Sequence, residues 1–267
     1  MKVVPVPVRS DNYAYLLIDE AAKKAAAVDP YDVPKVQEAA KKLGVELVGV
    51  LTTHHHHDHA GGNEVFSKAY PSAPIYGGSK QVAAVTHVVK DKDEFTIADG
   101  IHVKCLATPC HTQDSICYHV TSTSSSPSSP SSPHPGGVFT GDTLFLAGCG
   151  RFFEGTGAEM VRALAYLSST LPDATVVYNG HEYTKGNVAF ARSVDPENEE
   201  IARLARLVEE SERGEVTGKT TIGEEKGWNV FMRLKTEPVL TAMGVTADSP
   251  EDVIMDKLRD AKNAFRG

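Results

Sequence analysis

The stretch Thr52-Thr53-His54-His55-His56-His57-Asp58-His59-Ala60-Gly61-Gly62-Asn63 constrains this chain more than any other feature. Of 11 histidines in 267 residues, five fall between positions 54 and 59. The run follows an apolar strand end at residues 47–51 and leads into a helix expected to begin near Gly61. In extended backbone, alternate side chains face the same way, so His54, His56 and Asp58 share one side while His55 and His57 point away. As the chain turns into the helix, His59 swings back beside Asp58. Two groups of donors then lie a short distance apart, as a two-metal site requires. A merely solvated, metal-scavenging His tract would need neither the Asp-His ending nor the strand-to-helix setting.

Further donors stand elsewhere in the chain. His111 lies in Thr108-Pro109-Cys110-His111-Thr112, Asp142 in Thr140-Gly141-Asp142-Thr143, and His181 in Asn179-Gly180-His181-Glu182. Strands are expected at residues 2–8, 13–18, 25–28, 45–51, 102–106, 116–120, 138–140 and 175–178, which are short and rich in Val, Ile and Tyr. Each donor cluster therefore sits just past a strand end, where α/β folds build their sites. Helical patterns at 33–43 and 158–168 alternate with the strands, which indicates a layered α/β domain.

After about residue 182 the strand signals fade. Residues 197–213 repeat Ile201, Leu204 and Leu207-Val208 at helical spacing. Residues 250–265 keep Val253-Ile254, Leu258 and Phe265 on one side behind Ser249-Pro250, an expected N-cap and first-turn pair. The expected division is 1–181 for the α/β part and 182–267 for a small helical part. The Ser/Pro tract at 121–135 cannot bury a core and is expected to be a solvent-exposed connection between two strands.

Composition narrows the function classes. The net charge of −8 disfavours general nucleic-acid binding. No stretch approaches the roughly 18 apolar residues that span a bilayer. The N-terminus makes a poor secretory signal. Cys105, Cys110, Cys117 and Cys149 form no CxxC pair and are expected to be free thiols. Cys110, beside His111, is expected to be a buried inert thiol, since no activating base is evident.

The motif THHHHDH with the later His, Asp and His resembles the metallo-β-lactamase superfamily. More closely, Asp11-Asn12-Tyr13, LTTHHHHDHAGGNE, CLATPCHT, VFTGDTLFLAGCGRFFEGT, NGHEYT and NVFMRL resemble the glyoxalase II (hydroxyacylglutathione hydrolase) family. The resemblance implies an α/β fold, a four-layer αββα sandwich with a small C-terminal helical domain. It implies His54, His56 and His111 on one metal, Asp58, His59 and His181 on the other, and Asp142 bridging both. It also assigns substrate contacts to Arg151, Phe153, Tyr183, Arg259 and Lys262. Arg151 takes a place commonly held by Lys, and Phe153 stands where Tyr is usual, so one hydroxyl contact is lost. His57 occupies a position often filled by Trp. Arg259 and Lys262 lie one helical turn apart, on one face.

The implied reaction is thioester hydrolysis, S-D-lactoylglutathione to D-lactate and glutathione, the second step of methylglyoxal detoxification. Water activated between two divalent metal ions would be the nucleophile. Zinc comes first as the metal, with iron or manganese also suited to His and carboxylate donors. The expected partner is the small-molecule glutathione thioester alone, without nucleic acid or membrane, bound by a cytoplasmic monomer; an organellar form with a removed leader stays compatible. The main alternative is a mononuclear-iron glutathione persulfide dioxygenase of the same superfamily. A metal-binding protein that has lost the reaction would show broken ligand sets, and the sets here are complete.

Overall fold

Short segments, apolar for the most part, build a first sheet from β1 (Lys2–Pro7), β2 (Tyr13–Asp19), β3 (Lys24–Val28), β4 (Glu46–Leu51), β5 (Ile75–Gly77) and β6 (His87–Val88), in that spatial order. β2 is buried at all seven positions because it has a neighbouring strand on each side and cover on both faces. The pairs β1–β2 and β2–β3 are antiparallel, whereas β3–β4, β4–β5 and β5–β6 are parallel. Parallel neighbours need a crossover, and α1 (Val33–Leu43) supplies it between β3 and β4. Asp32 caps this helix by accepting the Lys35 N–H, and Gly44 ends it in the left-handed region at φ 65°. Val33, Val36 and Ala40 join Ala14, Leu16, Ile18, Val50 and Phe66 in one core cluster.

The computed structural model describes residues 1–123 and 134–267, and the chain divides into two compact units. The first comprises Met1–Ala107 with Asp114–Gly141. It also contains the short helices α2 (His57–Ala60) and α3 (Asn63–Ala69) and a second sheet, in which β10 (Gly137–Gly141), β9 (Ile116–Ser122), β8 (Ile101–Ala107) and β7 (Glu94–Ile97) are antiparallel neighbours. The two sheets meet face to face. The rings of Tyr15 and Phe139 lie 5.3 Å apart, and the Tyr118 hydroxyl donates to the Thr52 carbonyl at 2.9 Å. Helix, sheet and sheet thus form successive layers within this unit. Much of the Ser/Pro tract, residues 124–133, lies outside the described residues.

The second unit comprises Thr108–Gln113 with Asp142–Gly267. It holds the hairpin of β11 (Leu144–Phe145) and β12 (Gly148–Cys149), then α4 (Gly157–Thr170) and β13 (Val176–Asn179). Helices follow: α5 (Thr184–Val194), α6 (Glu199–Glu210), α7 (Ile222–Trp228), α8 (Glu237–Met243) and α9 (Glu251–Ala264). Asn198 caps α6, whose Ile201, Leu204, Ala205 and Val208 are buried, and Thr221 with Glu224 forms a capping box on α7. Fully buried Glu225 accepts from Ala147 N, Trp228 Nε1 and Asn229 Nδ2, tying α7 to the β11–β12 turn. Burial pushes its carboxyl up to about 7 despite those donors.

The eight expected strands agree with observed ones to within two residues at either end. Strands β5, β6 and β7 are two to four residues long, too short for a run of β-forming residues to register. The N-terminus of α9 differs from expectation. Pro250 is the N-cap, without a side-chain bond, and the Ser249 hydroxyl instead accepts the N–H of Thr246. Among the described residues, no helix is long and apolar enough to cross a membrane.

Candidate active site

In the first unit the chain leaves β4 at Leu51 and runs into α2, which begins at His57 rather than near Gly61. Asp58 is therefore helical, and strand parity does not describe it. Gly62 lets the α2–α3 junction pass close to the segment after β3, since a Cβ there would lie 1.9 Å from the Pro30 carbonyl oxygen. His55 does turn aside, its Nδ1 lying 2.9 Å from Asp114 Oδ1. His57 is exposed and packs edge-on against Tyr31 at 5.6 Å.

One buried carboxylate, not anticipated from the sequence, organises this loop. Asp29, at the end of β3, accepts the Thr53 N–H at Oδ1 (2.8 Å) and the Thr53 hydroxyl at Oδ2 (2.7 Å). The same Oδ2 lies 2.9 Å from His59 Nδ1. Because the Thr53 hydroxyl spends its only proton on Asp29, its oxygen must accept the Nδ1–H of His54, 3.0 Å away. A carboxylate at His59 Nδ1 likewise selects the Nδ1–H tautomer. In the neutral form both rings present a lone pair at Nε2, the form in which imidazole binds a metal.

Those lone pairs face other donors. His54 Nε2 is 3.2 Å from His56 Nδ1, and His59 Nε2 is 3.7 Å from Asp58 Oδ2. A lone pair opposite a carboxylate oxygen is repulsive without a cation between them. Two donors each about 2.1 Å from a tetrahedral cation stand about 3.4 Å apart, so the spacings fit a divalent metal. His54 and His59 are 1% exposed, which keeps competing water from the imidazoles.

The second unit repeats this logic. His111 Nδ1–H donates to the backbone carbonyl of Arg151 at 3.0 Å, leaving its Nε2 lone pair 3.4 Å from Asp142 Oδ2. His181 Nε2 lies 3.4 Å from the same oxygen. His181 follows β13, where Asn179 Nδ2 donates to its carbonyl at 2.6 Å, and its ring stacks on Tyr183 with centroids 4.7 Å apart. Gly150 leaves room for this cluster, because a Cβ there would lie 1.9 Å from the Asp142 carbonyl oxygen.

His111 and Asp142 line a cavity of about 590 Å³ together with Arg151, Phe153, Tyr183, Arg259 and Lys262. The residues nominated for substrate contact are thus gathered around one space with two of the candidate metal donors. Phe153 is 62% exposed at its edge and meets the His111 ring at 5.2 Å. Arg259 is only 8% exposed; its Nη1 donates to the Cys149 carbonyl at 2.8 Å, while its Nε is buried without a hydrogen-bond partner. Among the described residues this guanidinium has no ion-pair partner, an arrangement suited to an anionic ligand. Lys262 Nζ donates to Gly186 O at 2.8 Å, and burial, with Arg259 nearby, pushes its ammonium down to about 8. Cys110 is fully buried and donates to Thr156 O, and burial pushes its thiol up to about 12, so it is inert at neutral pH.

Comparison with known proteins agrees with this chemistry. The chain matches the metallo-beta-lactamase superfamily model over residues 31–181 and the model for the hydroxyacylglutathione hydrolase C-terminus over residues 182–265. It is 46% identical to the probable hydroxyacylglutathione hydrolase glo2 of Schizosaccharomyces pombe, over 95% of this chain and 94% of that one. It is 41% identical to the cytoplasmic hydroxyacylglutathione hydrolase of Arabidopsis thaliana over the full length of both. Among solved structures, ETHE1 from Myxococcus xanthus matches with a TM-score of 0.64 at 26% identity, over 99% of each chain. The chain belongs to the hydroxyacylglutathione hydrolase family of the metallo-β-lactamase superfamily.

Proposed function

We propose that this protein hydrolyses S-2-hydroxyacylglutathiones, S-D-lactoylglutathione above all, to the hydroxy acid and glutathione. The observation that carries the reading is a cavity in which candidate metal donors His111 and Asp142 accompany buried Arg259, whose Nε has no hydrogen-bond partner among the described residues. His54, His56 and His111 would hold one divalent cation and Asp58, His59 and His181 a second, with Asp142 shared. When bound, such cations act as Lewis acids on the thioester carbonyl and lower the pKa of water from about 15.7 toward neutrality. Arg259, Lys262 and Arg151 answer the carboxylates of glutathione, while Tyr183 and Phe153 wall the peptide part. Asp58 orients the attacking water by accepting its hydrogen bond. The thiolate leaving group, with a pKa of roughly 8.5, needs no strong general acid, consistent with the inert Cys110.

Residues 1–181 are read as the catalytic part and 182–267 as the substrate-binding part, supported by the two family models meeting at that point. Zinc is the first choice of metal, with iron or manganese matched by the same donor types. A cytoplasmic monomer completes the reading, the location supported by the name of the Arabidopsis relative. The persulfide dioxygenase alternative is disfavoured because the relatives at 41% and 46% identity are named hydroxyacylglutathione hydrolases.

The test is direct. Purified protein should consume the ultraviolet absorbance of a lactoylglutathione thioester, lose that activity to a chelator, and regain it with zinc. Oxygen consumption with glutathione persulfide, and an unchanged thioester, would replace this reading with the dioxygenase. A pH effect on binding is also expected. Because Lys262 loses its proton near pH 8, KM should rise up to about tenfold between about pH 7 and 9. Lys262→Arg should abolish that rise while leaving kcat similar; an identical rise in the variant would exclude Lys262 as its source.

A further inference from the structure

The turn between β1 and β2 brings Asn12, to which the sequence assigns no role, to the metal-donor loop. Asn12 is 4% exposed, and its Nδ2 lies 2.9 Å from Asp58 Oδ2 and 3.4 Å from the Asp58 backbone oxygen, across 46 residues of sequence. Both oxygens of an ionised Asp58 and its carbonyl are acceptors, so the amide must present its nitrogen here. The same Oδ2 faces His59 Nε2 at 3.7 Å. It is therefore the carboxylate oxygen that shares a cation with His59, on the assignment of Asp58 made above.

We propose that Asn12 is a positioning residue for the cation held by Asp58 and His59: its amide pins Oδ2 as the donor oxygen. The need for such a pin follows from the surroundings. Asp58 sits in the first turn of a four-residue helix with its side chain 30% exposed. A carboxylate left to rotate would present either oxygen, and a binding cation would have to offset the entropy of stopping it. His59 is held by Asp29 and His54 by Thr53; Asn12 completes the set for Asp58. The turn that carries Asn12 is itself closed by a hydrogen bond from Val8 N to Asn12 O at 3.1 Å, so the amide comes from a fixed backbone.

The proposal rests on Asp58 being a metal ligand, and one set of proteins tests both. Wild type, Asn12→Leu, Asn12→Ala and Asp58→Ala are loaded with zinc, and metal per chain is measured against increasing chelator, alongside thermal unfolding of the metal-free proteins. Wild type should hold two equivalents. Both Asn12 variants should release one of them at about 10–100-fold lower chelator concentration while retaining the other. Leu fills the space of Asn and Ala does not, so a purely structural role would separate the two variants in both metal retention and melting. Equal metal loss with unequal melting is the expected signature. Wild-type retention of both equivalents in both Asn12 variants overturns the proposal. Two equivalents retained by Asp58→Ala would remove the ligand assignment itself, and the proposal with it.

Discussion

Asp142→Ala is expected to lower kcat/KM for a glutathione thioester by about 10³-fold or more, roughly 4 kcal/mol of transition-state stabilisation, and to leave fewer than two metal ions per chain. One carboxylate oxygen of Asp142 lies 3.4 Å from the Nε2 of both His111 and His181. With Nδ1 of His111 donating to a backbone carbonyl, the neutral imidazole cannot donate toward Asp142 as well, and its Nε2 lone pair is left for a cation. Alanine removes the anionic member of the cluster and leaves two lone pairs with nothing to balance the charge of a second ion. The fold should survive, because Asp142 follows β10 in a segment held by other contacts, including the Thr108–Thr143 hydroxyl pair at 2.9 Å. Metal analysis with thioester kinetics checks this; wild-type turnover would remove Asp142 from the site.

Arg259→Met should separate function from stability. The guanidinium is 8% exposed, lies over the Phe231 ring at 5.4 Å, and buries an Nε without a hydrogen-bond partner. Burying a charge in this way is unfavourable unless a counter-anion arrives. Charge-assisted hydrogen bonds to a ligand carboxylate contribute about 1.5–3 kcal/mol each, so the substitution should raise KM about 100-fold and change kcat much less. Stability should move little. The Cys149 carbonyl loses its donor, but the chain no longer desolvates an unpaired charge, and Met keeps the apolar contact with Phe231. Steady-state kinetics and thermal unfolding give the two readouts. A large fall in unfolding midpoint with unchanged KM would make Arg259 a structural residue.

The sequence carried much of the fold because the signals involved are local. Residues 33–43 combine helical spacing of Val36 and Ala40 with a capping Asp32 and a terminal Gly44, and α1 has those bounds. The strands at 13–18 and 116–120 show in the sequence as short runs rich in Tyr, Ile, Leu and Val. The helix α5, with Thr184, Asn187 and Val194 among its buried residues, escaped notice because polar residues share its inner face. Strand parity describes His54 and His56, whose Nε2 and Nδ1 are 3.2 Å apart, but not Asp58, since α2 starts one residue earlier and changes the period from two to 3.6.

What the sequence determined by itself was the chemistry available: seven imidazole and carboxylate donors placed after strand ends, and basic residues in the C-terminal helices. Which atom of each donor is presented depends on contacts that form only on folding. The Nδ1–H tautomers of His54, His59 and His111 depend on Thr53 with Asp29, on Asp29, and on the Arg151 carbonyl, while the Asp58 oxygen depends on Asn12. Most of these partners are 30 to 46 residues away. Spacing along a chain encodes a helical or strand period, but a hydrogen bond between distant residues exists only once burial removes water as the competing partner.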